Sequence, residues 1–403
     1  MKILVISDQY WPESWRITEI CEALVTRGFE VTVVAGLPNN SSGQVFPEYR
    51  HQAKSKETRN GVVIMRTNER GRKKGALNLY RKYQSFSRSA TKLVRGLPGD
   101  FDLVLVNQQT PIMQCLPGIE YARQNSKPLL YYCQDLWPAS LEAGGIHNAG
   151  LTKPIYAHYL KLSRTIYQQA DRILVTSPGF ISYLEETCQV NANHLALRYQ
   201  YAEDSYFNLT PTAEADGKPL TFLFAGNIGK AQSVETLIEA AARIEKTTPV
   251  QFLILGDGSR RNFVEKKAQV LKCHNVTFLG KVPSEKTAEY FSQANVLVLT
   301  LSNASFTSSV LPAKLTSYAA SGKPILVSAN GSVADVVSEI GCGFASPAEN
   351  VDALVQNIQK ITRLSWQERA ALGAKGREFA QDHFKKEAFM DSVVSVITQM
   401  VRK

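Results

Sequence analysis

The residues best placed to do chemistry lie where a buried apolar run ends in glycine. Phe222-Leu223-Phe224-Ala225 leads into Gly226-Asn227-Ile228-Gly229-Lys230-Ala231-Gln232, and a helical pattern starts at Ser233. Two glycines permit a tight turn and let backbone N–H groups approach a ligand closely. The helix N-terminus behind the turn favours an anion, and Lys230 adds a full positive charge. Together these are expected to cradle a diphosphate; a plain turn is the alternative. GxGxxG is absent, so the dinucleotide fingerprint is not met. Leu253-Ile254-Leu255-Gly256-Asp257-Gly258 is a second strand ending in a glycine turn. Its edge would suit a nucleobase or ribose, although such turns also occur without a ligand. Ser309–Ile325 holds a Pro-initiated helix capped by Gly322 and stopped by Pro324. Backbone donors at its start and Lys314 one turn in are expected to make a second anion site facing the first.

Two segments of the first half complete the candidates. Asp135, in Gln134-Asp135-Leu136-Trp137-Pro138, follows a strand end, where Rossmann-like folds present side chains to ligands. Its carboxylate would bind sugar hydroxyls or cap a helix, and local chemistry leaves both open. Tyr10–Arg16 forms the first strand-to-helix loop, where Trp11, Trp15 and Arg16 suit an acceptor or a phosphate. Trp15 could equally be core.

Strand and helix patterns alternate in both halves of the chain, which predicts right-handed crossovers and parallel sheets. In the first half strands are expected at Lys2–Ser7, Glu30–Ala35, Gly61–Thr67, Leu103–Asn107, Leu129–Cys133, Arg172–Thr176 and Leu195–Arg198. A polar loop is expected before Gly61. The polar stretch Ala202–Pro219 interrupts this order, and the alternation restarts at Thr221. The expected class is α/β: an acceptor-binding Rossmann-like domain over 1–203, a linker over 204–219 and a donor-binding Rossmann-like domain over 220–385. A last helix over 386–403 would pack back on the first domain. Two doubly wound halves are expected to leave a cleft at their strand ends. The 403 residues suffice for two cores. No apolar run reaches bilayer length, and the start reads as a buried strand rather than a signal peptide. Six scattered cysteines without metal-ligand spacing point to a reduced, cytoplasmic compartment and no metal site.

In combination and in this order, several motifs carry a resemblance: AGNIGKAQ (225–232), QDLWP (134–138), TSPGF (176–180), AED (202–204), LGDG (255–258) and PAKLTSYAASGKPIL (312–326). Over nearly its whole length the chain resembles family 4 of the retaining glycosyltransferases with the GT-B fold. Within that family it is similar to the bacterial surface-polysaccharide branch that includes N-acetyl-fucosamine transferases. The resemblance implies a nucleoside-diphosphate sugar donor, retention of configuration and no essential metal or cofactor. It also implies that Gly226, Asn227, Gly229 and Lys230 contact the donor diphosphate, Asp135 sits by the transferred sugar, and Gly256 and Asp257 lie near the nucleoside. The family usually carries two glutamates eight positions apart, the second of which holds the ribose. Those positions are Ser309 and Ser317 here. Ser14-Trp15-Arg16 also stands in place of a Gly-rich turn, and Arg16 could supply the missing charge.

The net charge is +10, and much of the excess is local: Arg66, Arg70, Arg72, Lys73, Lys74, Arg81, Lys82, Arg88, Lys92 and Arg95 face only Glu69 in that stretch. A helix over Leu77–Val94 would bury Leu79, Tyr83, Phe86, Ala90 and Leu93 and leave Arg81, Lys82, Arg88, Lys92 and Arg95 around the rest. The Arg70–Arg95 segment is therefore expected to dock on an anionic membrane surface on the inner face of the cell membrane, near a polyprenyl-diphosphate-linked or oligosaccharide acceptor. A solvated helix is the alternative. A nucleic-acid partner is disfavoured, because no recognition motif or stacking platform accompanies the charge. An epimerase of the same architecture, or a silent subunit with a partner transferase, would account for Ser309 and Ser317.

Overall fold

The computed structural model describes residues 1–39, 44–67, 69, 76–144, 146, 148–209 and 218–402. They divide into two units: Met1–Thr176 with Phe180–Arg198 and Met390–Lys403, and Ser177–Gly179 with Tyr199–Phe389. Each unit is a Rossmann-like α/β layer structure.

The first unit holds an eight-stranded sheet in the order β3-β4-β2-β1-β5-β6-β7-β8. Its strands are β1 (Lys2–Ser7), β2 (Glu30–Ala35), β3 (Lys56–Arg59), β4 (Val62–Arg66), β5 (Leu103–Gln108), β6 (Leu129–Cys133), β7 (Arg172–Val175) and β8 (Leu195–Leu197). Ile3, Leu4, Val5 and Ile6 are wholly buried, because helices cover both faces of the sheet; this is why β1 reads as an unbroken apolar run. The strand order reverses between β1 and β5, so the ends of these strands open the crevice of this unit.

The edge departs from an all-parallel reading. β3 runs antiparallel to β4 where the sequence suggests a polar loop. Asn60 and Gly61 join them at φ 45° and 81°, as a type I′ hairpin requires. Lys56, Glu57 and Arg59 make this edge charged and discourage further strand pairing.

The basic segment is also less uniform than its composition suggests. Arg70, Arg72, Lys73 and Lys74 lie outside the described residues. Lys82, expected on the cationic face of the helix Ala76–Arg95, is buried instead. Its Nζ lies 2.9 Å from Asp8 and 3.8 Å from Glu69. Arg66 is buried too, 2.9 Å from Glu57 and hydrogen-bonded to the carbonyls of Gly36 and Trp11. Both cations are claimed by carboxylates, Glu57 of β3 for Arg66 and the loop residues Asp8 and Glu69 for Lys82, which a count along the chain cannot register. Burial disfavours the Lys82 charge, but Asp8 and Glu69 outweigh it and hold the ammonium above its ordinary range. Burial and the Asp8 charge push the Glu69 carboxyl well above the usual carboxylate range, against Lys82. Arg81, Arg88 and Lys92 do stand exposed on this helix, around a shallow depression that also takes in Tyr80, Gln84, Ser85 and Ser89. Arg95 is exposed but paired with Glu120 at 2.8 Å.

In the second unit, six strands follow the order β11-β10-β9-β12-β13-β14. They are β9 (Leu220–Ala225), β10 (Val250–Leu255), β11 (Val276–Gly280), β12 (Val296–Thr300), β13 (Ile325–Ser328) and β14 (Gly343–Ser346), all parallel. Period-two alternation divides each central strand between two cores. Phe222 and Phe224 of β9 and Val296 and Val298 of β12 join the helix Val234–Ile244 on one face. Leu223, Ala225, Leu297 and Leu299 join the helices Ala313–Ala320 and Ser332–Ile340 on the other. The order reverses between β9 and β12, which places the switch point where the Gly226 turn begins. Asp204–Phe207, within the stretch read as linker, forms a helical turn against Ala313–Ala320, while 210–217 lie outside the described residues. No helix among the described residues is long and apolar enough to cross a membrane.

Replacing Lys82 by Met leaves Asp8 buried without its cation and is expected to destabilise the first unit by about 3–5 kcal/mol in urea unfolding. Glu69 binds its proton more tightly folded than unfolded, so its contribution is present at low pH and is lost as pH rises through its raised folded pKa. Glu69→Gln removes that titration and is expected to unfold at higher urea than the parent at pH 8, with the difference shrinking toward pH 5.

Candidate functional site

The turn after β9 is held from both sides. Toward β10, Gly226 N–H donates to Leu255 O at 2.9 Å, Ile228 N–H to Asp257 O at 2.8 Å and Arg260 N–H to Ile228 O at 2.9 Å. Toward β12, Thr300 Oγ1 donates to Gln232 O at 2.5 Å and Ser302 N–H to Ala231 O at 2.9 Å. The Gln232 side chain closes the loop by accepting from Gly229 N–H at 3.2 Å and Asn227 Nδ2 at 2.9 Å. The glycines are required here by contact as well as by dihedral angle. Gly226 and Gly256 have φ of +141° and +137°, and a Cβ on Gly256 would stand 1.8 Å from Gly226 O. The two turns therefore meet backbone to backbone.

This network changes where positive charge is offered. The N–H groups of Gly226 and Gly229 are already engaged, by Leu255 O of β10 and by the Gln232 side chain. The helix behind it begins at Val234, and the carboxylate beside its first turn is the chain's own Glu349, bonded to Ser233 Oγ at 3.1 Å. The remaining charge comes from side chains. Lys230 is exposed on a short 3-10 turn. Lys314, in the first turn of the helix Ala313–Ala320, extends over the end of β9. Its Nζ lies 4.0 Å from the centroid of the Phe224 ring and 2.7 Å from where a Gly226 Cβ would be. The stem of this lysine is partly exposed, but Nζ is buried and makes no hydrogen bond. Burial alone brings its pKa down to about 7.

Gly226, Asn227, Gly229, Lys230, Gly256, Asp257 and Lys314 are thus gathered at the ends of β9 and β10. Asp257 is exposed, with its carboxylate on Gly258 N–H at 2.8 Å. Ser317 sits one turn after Lys314, and its hydroxyl donates to Glu203 Oε2 at 3.1 Å. Ser309 lies on a separate loop, where its carbonyl accepts from Ser177 Oγ at 2.6 Å and its backbone abuts Gly179. Glu203 and Tyr318 lie within the motifs AED and PAKLTSYAASGKPIL, but the sequence alone assigns neither a role. The Tyr318 hydroxyl accepts from Ala225 N–H at 2.9 Å, which locks the helix to the last residue of β9. A Tyr on the Lys314 face of the helix is a legible signal, whereas the pairing of Glu203 with Ser317, over a hundred residues away, is not.

In the first unit, Asp135 stands half-buried at the end of β6. Its carboxylate accepts from Leu136 N–H at 2.9 Å and from the Thr110 hydroxyl, which in turn accepts from Trp137 Nε1 at 3.1 Å. Burial raises the Asp135 pKa against these donors. Arg16 opens the helix Arg16–Thr26, and its charge is felt at the buried Tyr132 phenol on the same strand end.

Two family models cover most of the chain. Glycosyltransferase Family 4 matches residues 14–199, and Glycosyl transferases group 1 matches residues 208–379. The chain is 25% identical over 333 residues to the probable glycosyltransferase WbjE of Pseudomonas aeruginosa, covering 79% of each. To the putative colanic acid biosynthesis glycosyl transferase WcaI of Escherichia coli K12 it is 23% identical, over 98% of this chain and 100% of WcaI. Among solved structures, Anabaena Alr3699/HepE in complex with UDP and glucose superposes with a TM-score of 0.70 over 99% of both chains at 15% identity.

Gly256→Ala forces a methyl group into the Gly226 carbonyl and a side chain into φ +137°. It is expected to lower the stability of the second unit by about 3 kcal/mol or more, read as an early denaturant transition.

Proposed function

The chain belongs to the family 4 glycosyltransferases, and from that premise we propose that it moves a sugar from a nucleoside-diphosphate sugar, a UDP-sugar in the first instance, to a lipid-linked or saccharide acceptor during assembly of a bacterial surface polysaccharide. The observation that carries this reading is the braced turn Gly226–Gln232 with Lys230 exposed on it and Lys314 beneath it. It also draws on HepE, which was solved with UDP and glucose, and on the colanic acid assignment of WcaI. In this reading the departing diphosphate develops negative charge that Lys230 and Lys314 stabilise, so the step asks nothing of a metal or cofactor. The acceptor attacks the face that the diphosphate leaves and gives its proton to a leaving-group oxygen, so configuration is retained. Asp135 and Arg16 serve the sugar and acceptor end from the first unit.

Glu203 favours this reading over that of a silent subunit. Its carboxylate lies 3.1 Å from the hydroxyl of Ser317, the position where relatives carry a ribose-binding glutamate. A carboxylate is therefore still supplied there, from another element. The exposed cations Arg81, Arg88 and Lys92 are proposed to hold the enzyme peripherally on the anionic inner face of the cell membrane, each contributing about 1 kcal/mol.

A calorimetric screen against UDP, GDP, dTDP and their sugars is expected to show selective binding of a uridine nucleotide, weakened at least tenfold by Lys230→Ala and by Glu203→Gln. Absence of binding to all of them would favour the silent subunit. Release of UDP from a UDP-sugar is expected only with acceptor present, which separates transfer from epimerisation. In flotation with anionic vesicles, the protein is expected to bind in a salt-sensitive way, and the triple change Arg81→Glu, Arg88→Glu and Lys92→Glu is expected to abolish binding.

A further inference from the structure

The second cation of the site is an unusual one. Lys314 Nζ is buried against the face of Phe224 and the backbone of Gly226, and no acceptor reaches it. The charged groups on the surrounding elements are turned to other partners. Glu203 takes the Ser317 hydroxyl. Arg377, from the helix Trp366–His383, binds the carbonyls of Leu209, Ala320 and Ser321. Asp257 holds Gly258 N–H and lies 4.0 Å from Arg261. The Tyr318 hydroxyl is engaged by Ala225, and Lys230 carries the same charge sign on the exposed turn. Burial is the single cause acting on this amine, and no charged neighbour offsets it. An aromatic face attracts a cation only weakly compared with a hydrogen-bonded anion.

We propose that binding of a nucleoside diphosphate at the Gly226 turn draws one proton from solvent onto Lys314 Nζ, so that this cation forms together with its ligand. The proposal rests on the donor-binding reading above. The step is a simple protonation: the amine lone pair takes a proton released by a buffer acid, and the resulting ammonium faces the diphosphate oxygens. Above neutral pH the amine in the protein alone is mainly neutral, because about 7 is the pKa that burial gives it. An anion in contact favours the charged form and lifts that value. The arrangement discriminates between ligands. A neutral sugar supplies nothing to stabilise the ammonium, whereas a diphosphate does.

The test is titration calorimetry of the full chain with UDP at pH 8, in HEPES and in Tris, buffers that differ in ionisation enthalpy and do not compete as phosphates. The expected result is a difference between the two observed enthalpies that reports net uptake of protons on UDP binding. UDP affinity is expected to weaken about tenfold for each pH unit above 7, until the pKa of the bound state is reached. Lys314→Met is expected to keep measurable UDP binding through Lys230, to lose the buffer dependence, and to raise the melting temperature of the protein without nucleotide. Equal enthalpies in both buffers, or a dependence that survives in Lys314→Met, would overturn the proposal while leaving donor binding intact. Failure of the unaltered protein to bind UDP would instead overturn the uridine-donor reading on which this inference rests.

Discussion

The turn after β10 can press its backbone against the Gly226 carbonyl only because residue 256 carries no side chain, and the second unit is organised around that contact. The contact of Gly256 with the Gly226 carbonyl brings the ends of β9 and β10 together without an intervening layer. The neighbouring features follow from it. Ile228 can reach Asp257 and Arg260 across the gap, and Lys314 can lie directly under a residue that has no Cβ to exclude it. The site gains rigidity because its supports come from β10, β12 and the helix Ala313–Ala320, all of which are fixed by the buried sheet. Positioning by secondary elements of this kind serves a transfer reaction, where a displaced group loses orientation before it loses affinity.

Much of this architecture is legible in the sequence because its physics is local. The runs Ile3–Ile6 and Phe222–Ala225 announce strands buried on both faces, and glycine at the end of each β9 or β10 run announces a turn that side chains would obstruct. The hairpin of β3 and β4 was also legible, in Asn60-Gly61, but a charged strand such as Lys-Glu-Thr-Arg has no apolar alternation and so reads as loop. Its stability comes from the edge it extends rather than from its own burial.

Charge was the part that the chain order conceals. Arg66 and Lys82 look like members of a basic surface, yet each neutralises carboxylates brought from elsewhere in the first unit. Ser317 looks like a lost carboxylate, yet Glu203 stands beside its hydroxyl. Lys314 looks like an ordinary anion-binding lysine, whereas its surroundings withhold every acceptor from it. The decisive neighbours range from nine residues away, for Arg66 and Glu57, to over a hundred, for Ser317 and Glu203, and pairing energies depend on distance and desolvation that spacing does not encode.

The path of the chain carries a consequence for anyone wishing to recombine such enzymes. Ser177–Gly179 belongs to the second unit although the sequence on either side belongs to the first, and Met390–Lys403 returns to the first unit after the second is complete. A chimaera made by one crossover near residue 200 would therefore pair a foreign terminal helix with a native sheet, and would separate the serine and glycine at 177–179 from the loop of Ser309 that they contact. Grafting a new second unit onto this scaffold calls for two crossovers, so that the final helix travels with the first half of the gene, together with a matched exchange at the Ser177–Gly179 turn.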